Sequence, residues 1–314
     1  IGLTPSVSAN LPSNLFANSV LNQKLQSQSY PNAGSLLTGV AVIGVLLVSF
    51  MMMMAYPNLP DIDSLATYQP KMPLRVFSAD NMLIGEFGEE RRAVVTIRDV
   101  PQLMKQAILA AEDERFYQHG GVDIISLLRA TLTNLATFGE GPGASTITMQ
   151  YVRQSQVEAA NLSGDAEAIA AATEVTIERK LKEIRLAIAL ENQVSKKDIL
   201  AGYLNLVFLG NQINGVETAS QYYFGTSAKN LTVPQAAYLA AMLKSPNDYK
   251  PDEADNLERG IGRRNYVIQA MADEGYLSQE QAEAYKKAPV QTKITKSKQG
   301  CESNQTTAFF CDFT

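Results

Sequence analysis

AAEDERFYQHGG, residues 110–121, ends a helical pattern in two glycines and carries three acidic residues in a row ahead of the single histidine, His119. Like charges crowded on one helical turn are destabilising. The turn formed by Glu112, Asp113 and Glu114 is therefore either a solvated helix end or a place where a carboxylate has a chemical task. Acidic helix faces are common, so the stretch alone favours the first reading, and the rest of the chain has to decide.

The apolar spacing from residue 100 onward is helical and predicts a mainly α domain. Asp123 and Ser195 are predicted N-caps. Residues 73–97 instead alternate apolar and polar side chains around an Ala-Asp-Asn turn, which predicts a short strand pair. The predicted helices span residues 101–118, 123–137, 145–160, 165–192, 196–206, 214–223, 233–244, 256–274 and 279–287. The fourth of them carries an apolar stripe formed by Ile177, Leu181, Ile184 and Ile188.

Composition excludes several classes of function. A net charge of −5 gives no basic footprint for nucleic acid. One histidine and two cysteines cannot build a histidine-rich zinc site, and no nucleophile-elbow motif accompanies His119. Cys301 and Cys311 both lie in the final segment, where they could pair or stay free.

An apolar segment near the N-terminus predicts a membrane anchor. Residues 36–56 contain no charge, and this length spans a hydrocarbon core of about 30 Å at about 1.5 Å per residue. A signal peptide is the alternative, but the run is long for one and no small-residue cleavage site follows. We predict a disordered cytoplasmic segment over 1–34 and a transmembrane helix over 35–56. Lys24 before the span and acidic residues after it favour a cytoplasmic N-terminus and an extracytoplasmic domain.

Five short patterns follow one another along the chain, and together they resemble the peptidoglycan glycosyltransferases of family 51. Each alone is weak, but their order behind one apolar span makes the resemblance specific. They are EDERFYQHGGVD (112–123), GASTITMQYVRQ (143–154), RKLKEIRLAIALE (179–191), KDILAGYLNLVFLGNQINGVETASQYYFG (197–225) and RRNYVIQAM (263–271).

The resemblance implies a fold and a domain order. The family has a lysozyme-like α lobe and a smaller, membrane-facing jaw lobe, which we expect within residues 138–177 of a domain spanning 57–290. Residues 291–314 resemble the linker of class A penicillin-binding proteins, which leads to a transpeptidase domain whose serine motifs are absent from this sequence. The segment between the second and third patterns resembles actinobacterial members.

The resemblance also implies the chemistry. The family polymerises lipid II: the 4-hydroxyl of one sugar attacks the anomeric carbon of a donor chain, and polyprenyl pyrophosphate leaves. A sugar hydroxyl needs a carboxylate to take its proton, and a departing pyrophosphate needs cations. By this resemblance Glu112 is the general base, with Glu183 as the second catalytic residue. The residues expected to bind or position substrate are Asp113, Ser145, Thr146, Gln150, Arg153, Arg179 and Lys180.

Arg179 and Lys180 stand four and three positions before Glu183 and share its helix face. Glu183 is expected to orient them towards the pyrophosphate or to bind a metal. No cofactor is required, although Mg²⁺ or Mn²⁺ could accompany the pyrophosphate. A surface ion-pair cluster is the alternative for this trio, and a capped helix start is the alternative for GASTIT.

Two positions depart from the family pattern within the proposed site. Met149 stands where a glutamine is usual, so Met149→Gln should be near neutral. Arg153 stands where lysine is usual, and it keeps the charge while adding bidentate contact to phosphate. Ala201 replaces a family glutamate without an evident reason.

Three functions compete. A peptidoglycan glycosyltransferase would act on lipid II and the growing glycan at the membrane, alongside cell-wall synthesis, division or elongation proteins and without nucleic acid. A muramidase or lytic transglycosylase would need a general acid for a sugar leaving group, and the cationic patterns argue against it. A catalytically inactive membrane scaffold is the third, and retention of both Glu112 and Glu183 argues against that.

Overall fold

The computed structural model describes residues 33–54, 74–81, 83–87, 93–137 and 143–295. The chain divides into two compact units, Ile1–Pro57 and Asn58–Thr314. In the first unit, helix α1 covers Ala33–Met54 and overlaps most of the anchor predicted over 35–56. Among the residues that the structure describes, no helix meets the combination of length and apolar character needed to cross a bilayer. Of the segment predicted to be disordered, 1–34, the last two residues are helical and the rest lies outside the described residues.

The second unit opens with an antiparallel hairpin of β1 (Leu74–Phe77) and β2 (Leu83–Phe87). Its turn places Asn81 at φ +63°, a left-handed conformation that asparagine tolerates. The Asn81 amide donates to the Ser78 carbonyl at 3.0 Å. The predicted strand pair is confirmed over these residues.

The remaining described elements of this unit are helical, so the prediction of a mainly α domain is confirmed. The α-helices are α2 (Gln102–Glu112), α3 (Ile124–Ala136), α4 (Ile147–Ser163), α5 (Ala166–Thr173), α6 (Ile177–Glu191), α7 (Lys196–Leu206), α8 (Val216–Phe224), α9 (Val233–Met242), α10 (Ala254–Asp273) and α11 (Gln279–Lys287). Short 3-10 turns cover Phe116–Gln118 and Ala228–Asn230.

Side-chain caps set several helix boundaries. Both predicted N-caps are confirmed, since Asp123 accepts from the Ile125 amide and Ser195 from the Asp198 amide. The single helix predicted over 165–192 is wrong. It breaks after Thr173, and the Thr176 hydroxyl begins α6 by accepting from the Arg179 amide, which satisfies a donor that a new helix would leave free.

Helix α9 is the centre of the core. All of its residues except Gln235 are buried, as expected for a helix that is apolar on every side. Helices α2, α8 and α10 pack against it, while α4 packs against α5, α6 and α7. Helix α2 therefore brings its C-terminal end, Glu112, to the region where these two groups of helices meet.

Helix α6 buries a different face from the apolar stripe seen in the sequence. Its buried residues are Glu183, Leu186, Ala187 and Leu190, whereas Ile177 is 72% and Ile188 42% exposed. The carboxylate of Glu183 thus occupies an inward position that is not part of the apolar stripe, although Ile184 of that stripe packs against the core.

A second apolar surface lies on α3. Its only buried residue is Ala130, and five of its large aliphatic side chains are 56–72% exposed, while Leu127 is 38% exposed. We call this surface the α3 apolar face; it consists of Ile124, Ile125, Leu128, Leu132 and Leu135. The jaw expected within 138–177 contributes Leu162, Val175 and Ile177 as exposed apolar residues, so α3 is an apolar element that the prediction left out.

The first residues of the predicted linker are packed on the domain. The Lys293 amide donates to the Tyr223 carbonyl at 2.8 Å, and the Thr295 amide to the Tyr222 carbonyl at 2.7 Å. The remaining linker, with Cys301 and Cys311, lies outside the described residues, as does any pairing of the two cysteines.

The two glycines that end the opening stretch have different roles. Gly121 has φ +81°, and a Cβ there would come within 2.7 Å of the Ile188 backbone nitrogen on α6. Gly120 has open space around the same position. Close approach of backbone to backbone therefore requires glycine at 121 and not at 120.

We expect Gly121→Ala to lower the free energy of unfolding by about 2 kcal/mol or more, because it adds left-handed strain to a backbone clash. Gly120→Ala is the matched control and should stay within about 0.5 kcal/mol of the wild type. Urea denaturation of both variants measures the difference. Equal stability of the two would mean that the loop does not pack on α6 as described.

Candidate active site

The three acidic residues of the opening turn all line one hollow but have different partners. Glu112 also lines a cleft, Asp113 is 8% exposed and bonded to the Ile147 amide, and Glu114 pairs with Arg129 at 3.0 Å. These separate partners offset part of the mutual repulsion of the three carboxylates.

Asp113 ties the turn to the start of α4. One of its carboxylate oxygens accepts from the Ile147 backbone amide at 3.0 Å, and His119 Nε2 lies 2.9 Å from the other. A carboxylate at a helix N-terminus is favoured by the free amides and the helix dipole. Asp113 and His119 thus hold the geometry around Glu112, in line with the positioning role expected for them.

Glu112 is a carboxylate in a poorly solvated position. Burial raises its pKa above the ordinary 4.5. The side chain of Gln150 opposes this by donating a 2.8 Å hydrogen bond to Oε2, and the charges of Arg263 and Lys244 also lower the pKa. The neighbouring carboxylate of Asp113 also raises the pKa, but it makes the smallest contribution.

Glu183 is the opposite case, a carboxylate surrounded by cations. It is 2% exposed, and it pairs with Arg179 Nη1 and, at 3.2 Å, with Lys180 Nζ. Arg153 Nε stands 4.0 Å away. One negative charge among three positive ones leaves an excess of positive charge, which is suited to an anionic ligand.

The hydroxyls of the second pattern differ in availability. Ser145 lines the cleft and accepts from Lys180 Nζ at 2.6 Å. Thr146 is 3% exposed; its hydroxyl donates to the Gly121 carbonyl at 2.6 Å and accepts from the Met149 amide. Thr146 therefore caps α4 with a hydroxyl that is fully used inside the protein, as in the simpler reading of GASTIT.

Met149 belongs to the core. It is 2% exposed and part of the main apolar cluster. The expectation that Met149→Gln is neutral does not fit this position, because an amide placed here would be removed from water. Arg153, by contrast, has a side chain that is 46% exposed and lines the cleft.

The cleft has a volume of about 450 Å³. A second hollow of about 270 Å³ lies beside it, and Glu112, Ser145 and Tyr266 line both. Glu112 therefore lies between the cleft and the second hollow. The other polar residues lining the cleft are Gln150, Arg153, Gln154, Lys244 and Arg263.

Three participants were not identified from the sequence. Lys244 follows the apolar run of α9 with no motif around it, and Arg263 was quoted within the fifth pattern without a role. Tyr203 lies within the fourth pattern with no role assigned to it, yet its hydroxyl donates to Gln150 Oε1 at 2.8 Å. Each of the three meets site residues that are distant from it in the sequence.

The residues present do not suit a protein-bound divalent cation. Within the described ranges, no group of three or more His, Cys, Asp or Glu side chains could hold a metal ion. Glu183, the expected ligand, already faces cations, which would repel a metal. The expected Mg²⁺ or Mn²⁺ therefore stays a prediction, and no step is derived through it.

Glu112→Gln tests the burial of the carboxylate. A pKa raised in the folded state means that protonation stabilises the fold, and that this stabilisation is lost as pH rises through the folded pKa. Glutamine carries no charge at any pH. We therefore expect Glu112→Gln to have a higher Tm than the wild type at pH 7, with the gap closing below about pH 4.5.

Thermal melts of both proteins from pH 4 to pH 8 measure this gap. Glu183→Gln is the control and should lower the Tm at pH 7, because it leaves three cations without their shared carboxylate. A Tm difference between Glu112→Gln and the wild type that is absent at pH 7, or equally large at pH 4, would contradict the raised pKa of Glu112.

Comparison with known proteins places this site in a family. A match to the family described as "Transglycosylase" covers residues 80–272. Penicillin-binding protein 1A of Neisseria cinerea is 39% identical over 246 residues, covering 78% of this chain and 29% of that protein. Penicillin-binding protein 1A of Escherichia coli K12 is 38% identical over 225 residues, covering 72% and 25%.

The chain thus spans less than a third of the length of these curated relatives. A crystal structure of penicillin-binding protein 1A from Haemophilus influenzae aligns with a TM-score of 0.39 at 26% identity, covering 73% of this chain and 22% of that one. The family match covers more than half of the chain and includes Glu112, Glu183 and every residue that lines the cleft. The chain belongs to the transglycosylase family.

Proposed function

We propose that this chain is a peptidoglycan glycosyltransferase that polymerises lipid II into β-1,4-linked glycan and releases polyprenyl pyrophosphate. The observation that carries the proposal is one cleft lined by both a poorly solvated carboxylate, Glu112, and by Arg153, Lys244 and Arg263. A base for a hydroxyl and cations for a pyrophosphate are what this reaction requires.

The reaction follows from these positions. Glu112 takes the proton of the acceptor 4-hydroxyl as its oxygen bonds to the donor anomeric carbon. The bond from that carbon to the pyrophosphate oxygen breaks with its electron pair, and the leaving group departs as an anion. Attack opposite the leaving group converts an α-linked donor into a β-linked product.

The positions of the cations favour one side of Glu112 for the leaving group. Arg153 reaches the cleft from α4, and Lys180 reaches Ser145 at its rim. A donor pyrophosphate held there would leave the smaller hollow, on the other side of Glu112, for the acceptor sugar. Glu183 would act by holding Arg179 and Lys180 in place, and a divalent cation, where one is used, would be carried by the phosphates.

A muramidase or lytic transglycosylase is the second candidate, because a carboxyl with a raised pKa also suits a general acid. Such enzymes protonate a sugar oxygen and have no anionic leaving group to neutralise. The excess of positive charge around Glu183 and in the cleft therefore favours the transferase. An inactive scaffold would have no use for a desolvated carboxylate in a cleft.

The proposal places the domain on the outer face of a cell membrane. The uncharged segment 36–56 supports a single retained span, and Lys24 supports a cytoplasmic N-terminus. The jaw of a lysozyme-like fold would then include the α3 apolar face. A downstream transpeptidase domain, and partners in division or elongation, stay predictions. So does an actinobacterial origin, since the relatives above come from Neisseria and Escherichia.

Polymerisation of lipid II, followed on a gel, tests the function. The wild type should give a glycan ladder, and Glu112→Gln should make it about 10²-fold more slowly or worse, because it keeps the shape of the side chain but cannot accept a proton. Lipid II binding should survive in Glu112→Gln, since the cations remain. Lipid II left intact by folded wild-type protein would reject the proposal.

Two further outcomes separate the alternatives. Release of fragments from preformed peptidoglycan, without a ladder, would favour the hydrolase or lytic reading. A ladder at the wild-type rate from Glu112→Gln but not from Glu183→Gln would make Glu183 the base, and the opening turn would be a solvated helix end.

Membrane contact through α3 is tested separately with protein lacking residues 1–57, the first compact unit. Leu132 is 68% exposed on the α3 apolar face, so Leu132→Asp should weaken binding to anionic lipid vesicles about tenfold. Ala284→Asp, at an exposed position of the polar helix α11, is the control for added negative charge. Equal vesicle binding by the two variants would remove α3 from the membrane contact.

A further inference from the structure

We propose that Tyr203 is a positioning residue for Glu112, acting through the amide of Gln150. Tyr203 lies on α7 and is fully buried. Its hydroxyl donates to Gln150 Oε1 at 2.8 Å, and Gln150 Nε2 donates to Glu112 Oε2 at 2.8 Å. The inference rests on the proposed function, in which Glu112 is the base.

The direction of these two hydrogen bonds fixes the orientation of the amide. An ionised carboxylate can only accept, so Gln150 must turn its NH₂ group towards Glu112. If the amide were flipped, Gln150 Oε1 would face the Glu112 carboxylate oxygen. The flip would also leave the buried Tyr203 proton without an acceptor, since that hydroxyl has no other hydrogen-bond partner among the described residues. Both ends therefore select the same orientation, and an unpaired buried donor would be costly.

Tyr203 is suited to this role because it keeps its proton. Burial raises its pKa well above the ordinary 10, and the nearby carboxylates Glu112 and Asp113 raise it further. The hydroxyl thus remains a donor throughout the pH range in which a glycosyltransferase works. Gln150 is then held as a donor towards Glu112 without depending on solvent.

The consequence concerns the protonation of Glu112. The groups that face it are Gln150 from α4, Arg263 from α10, Lys244 beyond α9 and its neighbour Asp113. Gln150 opposes the effect of burial more than either of the two cations does. An amide that is no longer held would donate to Glu112 less of the time, so the carboxyl would hold its proton to higher pH.

Tyr203→Phe removes the hydroxyl and leaves the ring. The matched control is Tyr238→Phe: Tyr238 is also fully buried, and its hydroxyl donates one hydrogen bond, at 2.9 Å to the Tyr249 carbonyl, away from Glu112. Both variants lose a buried hydrogen bond of the same kind, so both should have a lower Tm. Only Tyr203→Phe should alter the titration of Glu112.

The measurement is kcat/KM for lipid II polymerisation against pH. A base is inactive when protonated, so the acid limb reports the pKa of Glu112 in the free enzyme. For Tyr203→Phe we expect this limb to move about 0.5–1 pH unit higher, while Tyr238→Phe leaves it in place. In a Gln150→Ala background, Tyr203→Phe should add no further shift, since the two act in series.

Titration of ¹³C-labelled glutamate carboxyls by NMR, assigned with Glu112→Gln, gives the same pKa without turnover. If the wild type makes no glycan, the proposed function fails and this titration still decides the role of Tyr203. An unmoved Glu112 pKa in Tyr203→Phe, or a full extra shift in the Gln150→Ala background, would overturn the proposal. Either result would make Tyr203 a core residue only.

Discussion

The hydrogen bond from the Ile147 amide to the Asp113 carboxylate is the contact on which the site depends. It joins the end of α2 to the start of α4 and so fixes where Glu112 lies relative to Gln150. The Thr146 hydroxyl reinforces the same junction by donating a hydrogen bond to the Gly121 carbonyl, and Gly121 in turn packs closely against the backbone of α6. Three helices distant in sequence are thereby held around one turn, which explains why that turn contains Asp113, His119 and Gly121.

The two glutamates of the site, Glu112 and Glu183, differ in their surroundings. Glu183 is buried among cations with which it forms ion pairs. Glu112 has one close hydrogen bond and only more distant cations, so burial raises its pKa. A carboxylate held by ion pairs is suited to organising cations, whereas one that is desolvated but lightly held is suited to proton transfer. The proposed function gives these two tasks to the two glutamates.

The features of the fold and of the site that depend on short sequence spacings could be predicted from the sequence. N-caps such as Asp123 and Ser195, and the cationic face beside Glu183, depend on spacings of a few residues. The stripe that includes Ile177 was misleading because periodicity cannot tell a core from an exposed apolar surface. Tyr203 and Lys244 were missed because their roles arise from contacts with α4 and α2 that no local pattern reports. The break before Thr176 was missed since helix propensity on both sides concealed the cap.

The source of the Glu112 pKa shift bears on when the base is strongest. Because burial contributes most and Asp113 least, the shift depends on how much water reaches the cleft rather than on a fixed charge. A substrate that fills the cleft displaces water and leaves the carboxylate less solvated, which favours its protonated form. Its tendency to take a proton therefore increases as the acceptor hydroxyl arrives. The Gln150 amide and the cations Arg263 and Lys244 act in the opposite direction and limit this increase.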